Sequence, residues 1–363
     1  MKKGLMIALS IVMLLAFTAC GGGTDSGNVG GGTGSGTAQT PADDTVYELV
    51  YATPNGSTVP MYQNVDSPLM RLIEENSNGR IKFVEYLGGA LAASGEAMDA
   101  VKSGAIDVTF DAPAWYTGVF PVSFLLEQPC LGTKNGEAAS WVFYDLIHEI
   151  QPKEMENIVV LAPMCSGPRN IISSKPIRTL EDMKGVQLRT NTSMNAVALE
   201  TGAVPVTMGS SELYEALQNH LVDGGFFSYE SMTVSKYYEV CDYITDMPMV
   251  NATVMIYMGK AKFDSLPEDL QKIIVDTSYD FFVSTSSKFY NEFTDAGMEM
   301  AFAANPNLEW IHMSDAELKK WDDKLEHLYW DYTKTLDDAG YDGAELAAWV
   351  KDKVEFYNEK YAS

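Results

Sequence analysis

The pattern of apolar and polar positions becomes regular near Val46. From there the chain reads as short strands alternating with helices. Val46–Ala52 partly alternates apolar and polar residues, which suits a strand. Ser67–Asn76 carries helical periodicity and is closed by Asn78-Gly79. Ile81–Tyr86 reads as a strand, Leu91–Ser103 as a helix stopped at Gly104, and Ile106–Phe110 as a strand again. Later, Ile158–Pro163, Asn170–Ser173, Val186–Arg189, Val204–Met208 and Asp223–Phe227 read as strands. Helices at Ser193–Thr201 and Ser210–Leu221 lie among them. Such alternation predicts an α/β fold built from parallel βαβ units. Ser265-Leu266-Pro267-Glu268 looks like a capping-box start with proline in the first turn. The helix it opens could run to Ala304, with Gly297 as the expected break. About 35 helical residues would span about 50 Å, more than one small lobe. Acidic helical stretches at Ser314–Ala339 and Ala344–Lys360 complete the chain. No internal repeat is visible.

The first 45 residues follow another pattern. Lys2 and Lys3 precede an apolar run from Leu5 to Phe17, then Thr18-Ala19-Cys20. This predicts a secretory signal over residues 1–19, the run being short for a membrane span. Cys20 stands where a bacterial lipoprotein is cleaved and acylated, so it is the expected lipidation site. Residues 20–45 are rich in Gly, Ser and Thr and suit a flexible tether. The protein is therefore expected outside the cytoplasm, anchored to the cell membrane by lipid, and periplasmic in a Gram-negative cell.

Charge narrows the partners. The 363 residues carry a formal −25, and loss of Lys2 and Lys3 with the signal takes this to −27. That balance argues against nucleic acid and against docking on anionic lipid. Five of the 25 basic residues are arginine, and Arg169, Arg178 and Arg189 share a 21-residue window. Arg189 ends a strand; Asn191 and Ser193 follow, just before a helix. Ligands of α/β sheets sit outside the carboxyl ends of strands, and helix N-termini favour anions. A guanidinium there can grip a carboxylate through two parallel hydrogen bonds, although each arginine could instead pair with a surface acid. Trp115, Tyr116, Phe227 and Tyr229 also follow strand ends and could line a cleft, or simply fill the core.

Enzyme signatures are missing. The sequence has no G-x-S-x-G, no H-E-x-x-H and no P-loop. His148, His220, His312 and His327 are scattered. Cys130, Cys165 and Cys241 have long spacings that form no zinc or disulfide framework, although one disulfide among them stays open. No catalytic residue, cofactor or metal site is nominated.

Three segments carry a resemblance: residues 77–110, 168–190 and 200–224. The chain resembles the DctP-like extracytoplasmic solute-binding proteins of TRAP transporters. The resemblance implies a two-lobed, periplasmic-binding-protein-like fold with crossing strands and a long hinge helix. Lobe I would hold 46–166 plus 254–292, and lobe II 167–253 plus 293–363. It further implies capture of a small organic acid and delivery to small and large TRAP membrane subunits for ion-gradient-driven uptake, with no enzymatic step. In that family an arginine ending a K-G-x-x-x-R run holds the substrate carboxylate; here it is Arg189, after Lys184-Gly185. Arg169 matches the second arginine. Gly225-Phe226-Phe227-Ser228 departs from the family pattern, which weakens any expectation of metal or of sialic acid. The alternatives are a binding protein of an ABC importer or of a sensor, or a secreted hydrolase.

Overall fold

The computed structural model describes residues 45–361, apart from Thr117, Asn191, Gly209, Glu230 and Pro248. The expected signal, Cys20 and nearly all of its tether, and Asn191 therefore lie outside the described residues. Eleven strands form two sheets among the described residues. The first takes β1 (Tyr47–Ala52), β2 (Ile81–Tyr86), β3 (Val108–Asp111), β4 (Ile158–Cys165) and β10 (Thr253–Gly259), in the order β2-β1-β3-β10-β4. The second takes β5 (Asn170–Ser173), β6 (Gln187–Thr190), β7 (Val204–Thr207), β8 (Gly224–Phe227), β9 (Tyr243–Asp246) and β11 (Glu309–His312), in the order β11-β9-β5-β8-β6-β7.

Both sheets are covered on both faces, which explains the strands that read as continuous apolar runs. Along β10, Val254, Ile256 and Met258 enter one core while Met255 and Tyr257 enter another. In the second sheet Ile171 and Phe226 face one core, Ile172 and Phe227 the opposite one. Parallel pairing holds for β1 with β2 and β3, and for β6 with β7 and β8. It fails at β10, antiparallel to β3 and β4, and at β5, antiparallel to β8 and β9. These two strands belong to the connections between the sheets. β4 ends in the first sheet at Cys165 and β5 opens the second at Asn170; β9 ends in the second and β10 opens the first. The two passages are tied by Ser166 N donating to Ala252 O (2.9 Å), Arg169 N to Val250 O (2.8 Å) and Met249 N to Arg169 O (3.0 Å).

The long helical stretch differs in detail from expectation. It runs as Glu268–Phe281, a π-helical turn Phe282–Ser286, and a second helix Phe289–Ala304. The break falls at Ser287-Lys288, while Gly297 is buried inside the second helix. A run of hydroxyl residues, Ser284 to Ser287, marks the place. The Ser284 hydroxyl donates to Asp280 O (2.7 Å), an alternative that competes with the helical ladder. Ser265 does not cap the first helix; its hydroxyl turns back to Lys262 O (2.6 Å). The second helix bridges the sheets, with Phe289 in a core of the first and Met298 and Ala301 in a core of the second. The helix Asp315–Asp331 also bridges: Trp321 and Leu325 pack on the second sheet, Tyr329 on the first.

The last helix is placed differently from the lobe II expected for 293–363. Leu346, Ala347, Val350, Val354 and Tyr357 of Gly343–Lys360 pack with Ala138, Ala139, Val142 and Phe143 of the helix Gly136–Asp145, beside the first sheet. Its apolar stripe is complementary to that helix, and contact burial outweighs nearness in sequence.

Burial of ionisable groups gives the first sheet a pH signature. Asp66 is fully buried, and desolvation pushes its carboxyl up from 3.8 to about 6, against weaker help from Tyr51 and Asn55. The folded state therefore holds the proton more tightly than the unfolded chain. Stability from this group is complete below pH 3.8 and is lost as pH rises to about 6. Asp66→Asn is expected to remove that slope. In denaturant titrations, the stability of the variant relative to wild type should rise by ~2–3 kcal/mol between the two ends of that window and then stay level. A pH-independent difference would show that folding leaves the Asp66 carboxyl at its ordinary value.

Candidate functional site

Arg189 lies in β6, where Leu188 faces the core and strand alternation turns Arg189 to the other face. Its neighbour across the parallel pair is Gly225 of β8, which has no side chain to cover it. The Phe227 ring lies over that gap: a Cβ on Gly225 would stand 2.4 Å from Phe227 Cζ. The guanidinium is partly buried, and its Nε donates to Met208 O at 3.4 Å. Burial lowers its pKa, the like charge of Arg169 lowers it further, and Tyr237 works weakly the other way. Arginine stays protonated regardless, so the site holds a desolvated cation beside a second one. Among the described residues, neither Arg189 nor Arg169 forms an ion pair with a carboxylate. Charges of one sign, partly out of water and without an ion pair, are what binding an anion requires.

Arg178 behaves differently. Its Nη1 and Nη2 donate to Glu309 at 2.7 and 3.0 Å on the exposed surface. The sequence cluster of three arginines thus resolves into two without an ion pair among the described residues and one surface ion pair.

The four aromatic candidates also separate. Trp115 is 40 % exposed at the end of β3, its ring edge-on to Phe110. The Tyr116 hydroxyl donates to Asp111 and accepts from Met98 N. Phe227 is buried against Tyr237, ring centroids 4.9 Å apart. The Tyr229 hydroxyl donates to Asp246 Oδ1 at 2.6 Å, and its ring abuts Trp310. Tyr116 and Tyr229 are thus committed to scaffold bonds, and Trp115 is the one of the four with an exposed ring.

Sequence reasoning missed Tyr237 and Glu127, both of which reach the arginines electrostatically. Glu127 was one acid among 50, and nothing in its neighbours set it apart. A cavity of about 610 Å³ lies elsewhere, lined by Cys130, Met247, Met249, Trp321, Asp322 and Lys351 among others, and neither arginine lines it. The thiols of Cys130, Cys165 and Cys241 are free; burial pushes those of Cys130 and Cys241 up to about 12. Among the described residues no three His, Cys, Asp or Glu side chains stand together to hold a metal ion. No described helix is long and apolar enough to cross a membrane.

The two-sheet fold has counterparts among known proteins. The family model for bacterial extracellular solute-binding protein, family 7 (DctP), matches residues 51–335. The chain belongs to the DctP family. Among curated relatives, the 2,3-diketo-L-gulonate-binding periplasmic protein YiaO of Escherichia coli K12 is 26% identical over 211 residues. That match covers 57% of this chain and 64% of the relative, so the chain spans just under two thirds of its length. A solved TRAP periplasmic solute-binding protein from Desulfovibrio salexigens, an open complex, superposes with a TM-score of 0.79 at 29% identity, covering 88% of this chain and 97% of that one. A TRAP solute-binding protein from Rhodoferax ferrireducens, solved with copurified benzoate, has the same fold, with a TM-score of 0.74 at 23% identity over 88% of this chain and 100% of that one. The two-lobed α/β fold that the resemblance implied is that of the solved TRAP solute-binding proteins.

Proposed function

We propose that this DctP protein is the extracytoplasmic binding component of a TRAP transporter. It captures a small organic acid between its two sheets and passes it to the small and large membrane subunits. The observation that carries this reading is the unpaired, partly buried Arg189 with Arg169 beside it. Two such guanidiniums are costly without an anion, and a carboxylate is the anion whose planar oxygens match the guanidinium fork. The diketogulonate in the name of the E. coli relative and the benzoate of the Rhodoferax protein are both organic acids, which agrees with that class. Asn191, just after β6, is assigned as a further ligand contact. Trp115, with Phe227 over the arginine, would give the site an apolar wall suited to aromatic or branched acids. No residue is assigned a catalytic role, and binding requires no cofactor. Mass spectrometry of the ligand released from protein purified without added acids tests the reading. A carboxylic acid at near-stoichiometric amount is expected; a neutral sugar or a cation would overturn it.

Membrane attachment is proposed to run through Cys20. Cells fed a labelled fatty acid are expected to label the wild-type protein, and Cys20→Ser is expected to be unlabelled and released from the membrane fraction. Labelling of the variant would refute lipidation at this residue.

A further inference from the structure

Asp111 is the last residue of β3 and is fully buried. Three donors meet its carboxylate. Ala112 N donates to Oδ1 at 2.9 Å, the Tyr257 hydroxyl to Oδ2 at 2.9 Å, and the Tyr116 hydroxyl to the same Oδ2. The Tyr116 oxygen also accepts Met98 N at 3.0 Å, in the first turn of the helix Ala97–Ser103. The cluster thus ties the end of β3 to β10 and to that helix. Apolar side chains could fill this space without the cost of burying a carboxylate. What hydrogen bonds add is direction. Asp111 and Tyr116 are the two ends of a tight turn, closed by Trp115 N donating to Ala112 O (2.9 Å) and Tyr116 N to Pro113 O (3.1 Å). Gly95, at φ +84°, backs the turn so closely that a Cβ there would stand 3.3 Å from Trp115 O. Trp115 carries the exposed ring of this turn, edge-on to Phe110. Its side chain is open to solvent while its main chain is held on three sides, so little order remains to be imposed when a ligand arrives.

Topology places this turn opposite Arg189. β3 and β4 end at the edge of the first sheet where β10 begins: Asp111 stands beside Met255, and Cys165 beside Thr253. β8 ends at the edge of the second sheet where β5 begins, Phe227 beside Asn170, and β6 runs parallel to β8. The two connections, Ser166–Arg169 and 247–252, join these edges. The carboxyl ends of the parallel strands of both sheets therefore meet at the connections, where ligands of α/β sheets sit. Trp115 follows one edge and Arg189 ends a strand at the other.

We propose that Asp111 and Tyr116 are positioning residues that hold Trp115 as a fixed aromatic platform at the cleft, so that the site selects acids whose carboxylate is borne on a flat ring. Neither touches the ligand; each is bonded within the scaffold and acts through the indole between them. A flat ring can lie offset-stacked or edge-on against that indole, an arrangement a puckered saturated ring of the same size does not reproduce. This inference rests on the carboxylate reading above, and it names the ligand class that reading leaves open.

Calorimetry with benzoate and cyclohexanecarboxylate, equal in charge and close in size, tests it. Wild type is expected to bind benzoate at least about threefold more tightly. Tyr116→Phe keeps the ring that packs on Phe120 and removes the hydroxyl. It is expected to bring the ratio down to about one, as is Trp115→Ala, because either change takes away the fixed platform. In the Trp115→Ala background, Tyr116→Phe should leave the ratio unmoved, since the two residues act as a unit. A merely structural Tyr116 would weaken both probes alike and would do so equally with or without Trp115. That result overturns the proposal, as does a Trp115→Ala protein with the wild-type ratio. Should Tyr116→Phe not fold, Gly95→Ala decides through the same cycle, because it presses on the Trp115 carbonyl and leaves both hydroxyls in place. Failure of benzoate to bind wild type, or a wild type preferring the saturated ring, overturns the flat-ring selection and leaves the carboxylate reading standing. Failure of both probes together with a neutral ligand in the purified protein removes that reading as well.

Discussion

Arg189→Ala is expected to weaken binding of the cognate acid by ~3 kcal/mol or more, a loss of at least about a hundredfold. The size follows from burial. The ligand carboxylate must leave water to enter the site, and without Arg189 it keeps that cost while losing its two-point donor. Arg189→Lys should recover part of the loss, because charge is restored while the planar fork is not. Arg178→Ala is the matched control. It removes an arginine from the same stretch, but one bonded to Glu309 on the surface, and should leave affinity unchanged. Calorimetry on the three variants decides the matter. Equal affinity in wild type and Arg189→Ala would sink the assignment, and a large loss in Arg178→Ala would show that the effect is general to the surface.

The second large effect concerns the strand that faces Arg189. Gly224→Ala is expected to lower the unfolding free energy by about 3 kcal/mol. A Cβ at this position would stand 2.4 Å from Ile172 O, 2.7 Å from Ser173 Cβ and 2.8 Å from Ser173 Cα. Two of these are backbone atoms of the paired strand β5, so no side-chain rotation relieves the clash and β5 and β8 must separate. The drop in midpoint should be on the order of 5 °C or more in a thermal melt. Gly56→Ala is the control: its Cβ meets nothing within 4 Å, and its midpoint should match wild type. Equal midpoints for both variants would mean that the second sheet accommodates the methyl group.

Some of this was legible before folding. Ser67–Asn76, Ile81–Tyr86 and Asn170–Ser173 were read with the bounds the structure shows. Each is a local event: a helix closed by a residue pair at positive φ, Asn78 and Gly79, or an apolar run between turn residues. Arg189 was legible because strand end, arginine and helix start follow one another in the chain. What was lost has a common cause. β9, β10 and β11 were not read from the pattern, and β5 and β10 run antiparallel where local alternation predicted parallel pairing. Strand direction is set by which strand lies alongside, often a hundred residues away. Tyr116 and Tyr229 looked like ligand contacts, yet their hydroxyls belong to Asp111 and Asp246. An aromatic residue after a strand reads the same whether its ring meets ligand or scaffold.

The sequence by itself determined the elements, the apolar faces that bury both sides of each sheet, and the concentration of arginine in one stretch. Those features depend on neighbours a few residues apart, where periodicity and turn chemistry act. Only the tertiary structure decided which arginine is taken up in a surface ion pair. Arg178 is paired on the surface with Glu309, 131 residues away, while Arg169 and Arg189 form no ion pair among the described residues. It also tied Glu127 to Thr253, 126 residues away in the chain. Charge acts through space, and its value depends on how much water is excluded. The net charge of −25 therefore narrowed the partners, and only the fold separated the surface-paired arginine from the other two.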